Sequence, residues 1–296
     1  MKVRVFEGII PPLVTPFNRD GTVDEKALRA VIRYVLEGGV HGVFIAGSTG
    51  EAYALEDKER LKAFEVALDE VNGKVPVFAG TAQITTEGTI RLTKAAESLG
   101  VDAVSIVTPF FITPNDEELY AHYHAIATST RLPVILYNNP DRTRVTISIP
   151  VIKRLAQLEN ICGIKDSSGD MTYVAEIIRN TDPEFSFFCG KDTIIYSTLV
   201  TGGKGAVPAS GNVAPELIVN LYNAVKRGDL SAARAFQFQL APLRNAFSLG
   251  SFPVVLKEAL NLIGIPVGTT RLPIQPLPEE KRKALKKILE EMGLIR

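Results

Sequence analysis

Short runs of Val, Ile, Leu and Phe recur along the chain, each followed by a longer stretch in which apolar residues return every three or four positions. The short runs are continuous rather than alternating, as in parallel strands covered on both faces, and the longer stretches read as amphipathic crossover helices. Eight strands are predicted, over Gly8–Val14, Gly42–Ala46, Val75–Gly80, Ala103–Val107, Val134–Tyr137, Ile161–Lys165, Phe185–Gly190 and Gly205–Val207. Their ends are spaced by about one βα unit each, the last being shorter, which predicts an α/β fold closed into a (β/α)8 TIM barrel rather than an open sheet.

Helix signals fill the gaps. Asp24 stands at an N-cap position before Lys26–Leu36, Gly38-Gly39 ends that helix, and Asn72-Gly73 closes the one that begins near Glu56. Ala214–Arg227 completes the barrel after the eighth strand. Beyond it, Leu230–Leu249, Val254–Leu262 and Pro278–Met292 predict three appended C-terminal helices. The expected organisation is a barrel over residues 1–227 and a helical extension over 228–296, with no flexible linker between them.

Composition narrows the function classes. With 296 residues and 46% hydrophobic content the chain can bury a full core. Its 33 basic residues balance 33 acidic ones, so no net field draws it to nucleic acid or an anionic membrane. A small neutral or anionic ligand fits better. Cys162 and Cys189 lie in apolar runs and read as core packing rather than a disulfide or metal site. Met1-Lys2-Val3-Arg4-Val5-Phe6-Glu7 lacks the apolar centre of a signal peptide, and no apolar stretch reaches bilayer length, so a cytoplasmic protein is expected. His122 and His124 fall in an amphipathic helix and His41 before a strand, where packing or surface roles are expected and metal binding is not.

In such barrels the chemistry lies at the carboxyl ends of the strands. Gly47-Ser48-Thr49-Gly50-Glu51 follows the second strand; its N–H groups and hydroxyls could converge on a carboxylate, or simply form a βα turn. Tyr137 ends the fifth strand, where a phenol could relay a proton or merely pack. Arg142, in the loop beyond, suits a carboxylate or is a solvated loop charge. Lys165 follows the apolar sixth strand, so desolvation would lower its pKa and leave a nucleophilic amine. An exposed turn lysine beside Asp166 and Asp170, or a phosphate-binding loop, remains open on these grounds. Gly190 and the Gly202-Gly203-Lys204-Gly205 segment could let backbone approach a ligand, or punctuate turns.

Taken in order, Gly8-Ile9-Ile10-Pro11-Pro12-Leu13-Val14-Thr15-Pro16-Phe17, Gly47-Ser48-Thr49-Gly50-Glu51, Tyr137-Asn138-x-Pro140 and Gly163-Ile164-Lys165-Asp166 resemble the dihydrodipicolinate synthase and N-acetylneuraminate lyase family over essentially the whole chain. The resemblance implies a pyruvate-dependent class I aldolase in which Lys165 forms the imine, Tyr137 shuttles protons through the Thr49 hydroxyl, Ser48 and Thr49 hold the pyruvate carboxylate, and the Val207 carbonyl lies near the imine. It implies no metal and no organic cofactor, an aldehyde as second substrate, and a homotetramer built as a dimer of dimers. Two departures bear on substrate. Phe111 stands where lysine-pathway synthases usually carry a tyrosine that reaches into the neighbouring subunit's relay, and Ser48 stands where they tend to have a second threonine. Arg142, however, resembles the synthase arginine that holds the carboxylate of the aldehyde partner. The favoured expectation is an aldolase acting on a 4-hydroxy-2-oxo or 2-keto-3-deoxy acid. The alternative is 4-hydroxy-tetrahydrodipicolinate synthase, which condenses pyruvate with aspartate semialdehyde, and a more distant one is a non-catalytic 2-oxo acid sensor.

Overall fold

The computed structural model describes residues 5–295; Met1–Arg4, part of the segment expected to lack a signal peptide's apolar centre, and Arg296 lie outside the described residues. Eight parallel strands form one sheet: β1 (Gly8–Ile9), β2 (Val43–Ile45), β3 (Val77–Gly80), β4 (Ala103–Val107), β5 (Val134–Asn138), β6 (Ile161–Asp166), β7 (Ser186–Cys189) and β8 (Gly205–Ala206). Each pairs with its neighbour in sequence from β2 to β8, and β8 pairs back onto β1. Closure between β1 and β2 rests on His41 N–H donating to the Ile9 carbonyl at 2.8 Å, Phe44 N–H to Pro11 at 3.0 Å and Leu13 N–H to Phe44 at 2.8 Å. The expected (β/α)8 barrel is the fold.

Strand lengths differ from expectation chiefly at the start. The first strand, expected over Gly8–Val14, is a ladder of two residues because Pro11 and Pro12 have no N–H to donate. The segment nevertheless stays in the wall.

The helices are α1 (Glu25–Glu37), α2 (Asp57–Val71), α3 (Thr86–Leu99), α4 (Asp116–Thr128), the short α5 (Pro140–Thr143) and α6 (Ile149–Leu155), then α7 (Met171–Asn180), α8 (Ile195–Thr201) and α9 (Pro215–Lys226). Local rules set their ends. The Asp24 carboxylate caps α1 by accepting from Ala27 N–H at 2.9 Å, and Asn115 with Glu118 forms a capping box on α4. Leu28, Val31, Ile32 and Val35 give α1 its buried stripe, each contributing roughly 1.5–3 kcal/mol by leaving water. The extension comprises α10 (Leu230–Asn245), α11 (Val254–Leu262) and α12 (Glu279–Glu291). The helix expected to run to Leu249 tightens into a 3-10 turn over Ala246–Leu249.

Two apolar layers result. A large one lies between strands and helices; a smaller one fills the barrel with Phe6, Ile10, Phe44, Phe78, Ala103, Ile135, Cys162, Phe188 and Val207. Both cysteines are free and buried, as packing residues should be.

Candidate active site

A shift of one residue in β6 aims the central amine. Val134 pairs with Ile161 but Ile135 with Gly163, so Cys162 is an extra residue in the ladder. In a regular strand residues three apart face opposite sides. Here Cys162 belongs to the inner layer and Lys165 lines the barrel interior, while Ile161 and Ile164 face the helices. Gly163 permits the bend, since a Cβ there would lie 2.3 Å from the Ser186 carbonyl oxygen.

Lys165 is 4% exposed. Its Nζ lies 4.0 Å from the centre of the Tyr137 ring and 5.2 Å from that of Phe44. The turn-lysine alternative fails on the same geometry. Asp166 points to the helix side, where its carboxylate accepts from Asn138 Nδ2 at 2.7 Å and from Ser168 Oγ at 2.6 Å. Burial raises the Asp166 carboxyl above the usual range despite these bonds. Asp170 caps α7.

Tyr137 comes from the next strand in register with Lys165. Its oxygen accepts from Asn139 Nδ2 at 2.8 Å. Burial alone would raise this phenol. The Lys165 charge, with hydrogen bonds from Ser48, Ser167 and Lys165, outweighs burial and leaves it below its ordinary value. A phenol so placed can pass a proton to and from an adjacent nitrogen or carbon.

Thr49 takes its expected place in the cavity wall. Ser48 and Ser167 flank the phenol and help to lower it, with Thr49 beside Ser48 in the same wall. Ser167 and Asn139 each stand two residues beyond Lys165 and Tyr137, so strand alternation alone points them to the same face. That signal was present in the sequence. The Ser48-Thr49 turn is braced from below by Thr15 Oγ1, which donates to the Gly50 carbonyl at 2.6 Å.

Above Lys165 opens a cavity of about 390 Å³. It brings together all the expected site residues: Ser48, Thr49, Tyr137, Arg142, Lys165, Gly190 and Val207. Gly190 has no room for a side chain, because a Cβ would meet Ser167 Oγ at 2.1 Å. Lys191 Nζ bonds the Asp141 carboxylate at 2.6 Å at the rim and holds that carboxyl below its usual range. Arg244, Phe247 and Phe252 also line the cavity, from the C-terminal extension, and sequence reasoning missed them. Among the described residues no group of three or more His, Cys, Asp or Glu is placed to hold a metal, and no helix is long and apolar enough to cross a membrane.

An amine and a phenol meet at the carboxyl end of a closed (β/α)8 barrel, under a polar cavity, and the comparisons place this arrangement in a class of lyases. The chain belongs to the dihydrodipicolinate synthetase family, whose model matches residues 5–292, as the motifs led one to expect. It is 38% identical to the 4-hydroxy-tetrahydrodipicolinate synthase of Thermodesulfovibrio yellowstonii over 292 residues, 99% of this chain and 100% of that one. It is also 38% identical to the enzyme of the same name from Methanopyrus kandleri, covering 98% of this chain and 97% of that one. Among solved structures, dihydrodipicolinate synthase from Thermotoga maritima superposes with a TM-score of 0.95 at 34% identity, covering 99% of this chain and 100% of that one. A prophage protein of the dihydrodipicolinic acid synthase family from E. coli, solved in complex with pyruvate, gives 0.95 at 35% identity, covering 98% and 100%.

Proposed function

We propose that Lys165 forms an imine with the ketone carbon of pyruvate, and that the enzyme uses it to make or break a bond to an aldehyde. The amine adds to C2 and water leaves. The imine draws electrons from the methyl group, Tyr137 takes a methyl proton, and the resulting enamine adds to the aldehyde carbon. Tyr137 then returns the proton to the new alkoxide, and water releases the 4-hydroxy-2-oxo acid and regenerates the amine. Run backwards, the same steps cleave that acid. Ser48, Thr49 and the N–H groups of their turn hold the pyruvate carboxylate, with Gly190 and the Val207 carbonyl beside the imine. The reading requires neither metal nor organic cofactor, and takes the protein to be a cytoplasmic homotetramer.

The observation that carries it is the buried amine 4.0 Å from the Tyr137 ring centre. Aldol cleavage or formation of a 4-hydroxy-2-oxo acid is favoured because the proton path is assembled locally. Ser48, Ser167 and Asn139 surround the phenol oxygen, whereas Phe111 is 89% exposed and has no hydroxyl to offer a neighbour. A second reading, condensation of pyruvate with aspartate semialdehyde, is favoured by the names of the relatives and by Arg142 at the cavity. With the chain among enzymes, a non-catalytic sensor drops out.

Borohydride reduction in the presence of pyruvate tests the imine. A stable mass adduct on Lys165 is expected, absent in Lys165→Ala. Failure to trap it, or turnover that survives Lys165→Ala, overturns the reading. Pyruvate release from 4-hydroxy-2-oxoglutarate, set against condensation with aspartate semialdehyde, then separates the two reactions. A preference of about 10²-fold, equivalent to about 2.7 kcal/mol, assigns the substrate.

A further inference from the structure

The barrel interior holds a second, smaller space beneath the amine. Its walls are mostly apolar, with Phe44, Phe78, Ile135 and Phe188 among them, and two polar side chains line it, Lys165 and Ser105. Its volume is about 10 Å³, close to the ~10–15 Å³ that one water needs. Lys165 and Val207 also line the main cavity, so the two spaces meet at the amine.

Small residues make this room. Ser105 pairs in register with Gly80 on β3 and with Ile135 on β5, so one of its two neighbours brings no side chain to the interior. Ile135 stands two residues before Tyr137, which places Ser105 one step deeper in the barrel than the phenol. Ser105 is 5% exposed, and among the described residues its hydroxyl has no hydrogen-bond partner. A buried hydroxyl left unpaired is unfavourable, and a single water is the partner that a space of this size admits.

We propose that Ser105 holds one water beneath Lys165 and that this water positions the amine for attack on pyruvate. The proposal rests on the imine reading and adds to it a positioning residue that never touches substrate. A neutral amine has two N–H bonds and one lone pair, and it turns about its C–N bond unless both N–H groups are engaged. The Tyr137 oxygen engages one. The water accepts the other from below and bonds to the Ser105 hydroxyl. The lone pair is then left facing the main cavity, where the ketone carbon arrives. The Phe44 ring, 5.2 Å from Nζ, offers an N–H only a weak contact and does not fix that rotation.

Two measurements test this. A crystal structure of the unmodified chain that resolves ordered waters is expected to show one within hydrogen-bond distance of Ser105 Oγ and Lys165 Nζ; a chamber without one overturns the site. Ser105→Thr and Ser105→Val have the same shape and differ by one hydroxyl, so changes in packing cancel between them. By borohydride trapping, the maximal rate of pyruvate adduct formation is expected to be roughly 10-fold lower in Ser105→Val than in Ser105→Thr, with half-saturating pyruvate equal within about twofold. Equal rates in the two variants, or a difference carried by half-saturating pyruvate alone, overturns the positioning role while leaving the imine intact. Absence of any adduct in the unmodified enzyme overturns the imine reading and the positioning role with it.

Discussion

Lys257 and Glu51 are both wholly buried, and their charged atoms are 2.6 Å apart. The pair ties α11 of the extension to the residue that follows Ser48-Thr49-Gly50. Lys257 also donates to the Thr269 carbonyl at 2.9 Å and lies 4.0 Å from the Phe17 ring centre, while Glu51 accepts from Arg271 N–H at 3.0 Å. Burial pulls the Lys257 ammonium down to about 8, with Glu51 opposing, so the pair is held at a desolvation cost. Lys257→Met fills the space and leaves the buried Glu51 carboxylate without its paired ammonium. Breaking a buried pair in this way costs about 3–5 kcal/mol, a large part of an ordinary domain's ~5–15 kcal/mol. Glu51 itself sits at φ 55, a left-handed conformation unfavourable for its side chain, so losing the tie also releases the Ser48-Thr49 turn. Urea unfolding should show the loss, thermal unfolding a drop of roughly 6–15 °C, and the KM for pyruvate should rise. The double variant Lys257→Met with Glu51→Gln replaces the stranded charge by an amide and should recover much of the stability. If Lys257→Met stays within about 1 kcal/mol of the parent, or the two changes simply add, the pair is not the anchor described.

Two further outcomes follow from buried groups elsewhere in the barrel. Tyr137→Phe keeps the ring beside Lys165 but removes the proton carrier, so kcat should fall by about 10²-fold or more, measured in single turnovers with preformed imine; a loss under about twofold removes Tyr137 from the mechanism. His122 is buried, with Nδ1 bonded to Thr86 Oγ1 at 2.9 Å and Nε2 unpartnered, and burial holds its imidazole down to about 4 from 6.5. The unfolded chain therefore binds the proton more tightly, and the stability this neutral histidine contributes above pH 6.5 is lost as pH falls toward 4, by about 3 kcal/mol in all. His122→Gln should flatten that acid limb of the stability profile; an unchanged slope contradicts the assignment.

What could be read from the chain were the features carried by local pattern. Continuous apolar runs located the strands to within a few residues because both faces of a barrel wall are covered, and Val254–Leu262 matches α11 at both ends. Lys165 was visible as a cation at the end of such a run. Features set by cross-strand pairing were not. The extra residue at Cys162 exists only relative to Val134 and Ile135, yet it decides that Lys165 faces inward. Ser48 is near the phenol only because the turn after Gly47 brings it there, which no local pattern in the sequence shows. Arg244 is invisible as a site residue for another reason. Its helix reads as an ordinary amphipathic element, and its meaning comes from packing against the mouth of a barrel whose reactive lysine is far away in sequence.

The extension therefore has two separable tasks. Lys257 and Arg271 act beneath the Ser48-Thr49 turn: Arg271 reaches the Gly21 carbonyl at 2.7 Å and Glu59 at 2.8 Å, clamping the loop before α1 to the first turn of α2. Arg244, Phe247 and Phe252 act above, at the mouth. The strands carry the steps common to any pyruvate imine, since Lys165 and Tyr137 are neighbours in register whatever arrives at the rim. Changes in α10 and the turn after it can then alter the mouth without disturbing the amine, whereas a change in α11 reaches the Ser48-Thr49 turn through Glu51. Substitutions on these two helices should accordingly differ in kind: those at the α10 mouth residues should leave stability near that of the parent, and those on α11 should move pyruvate affinity and stability together.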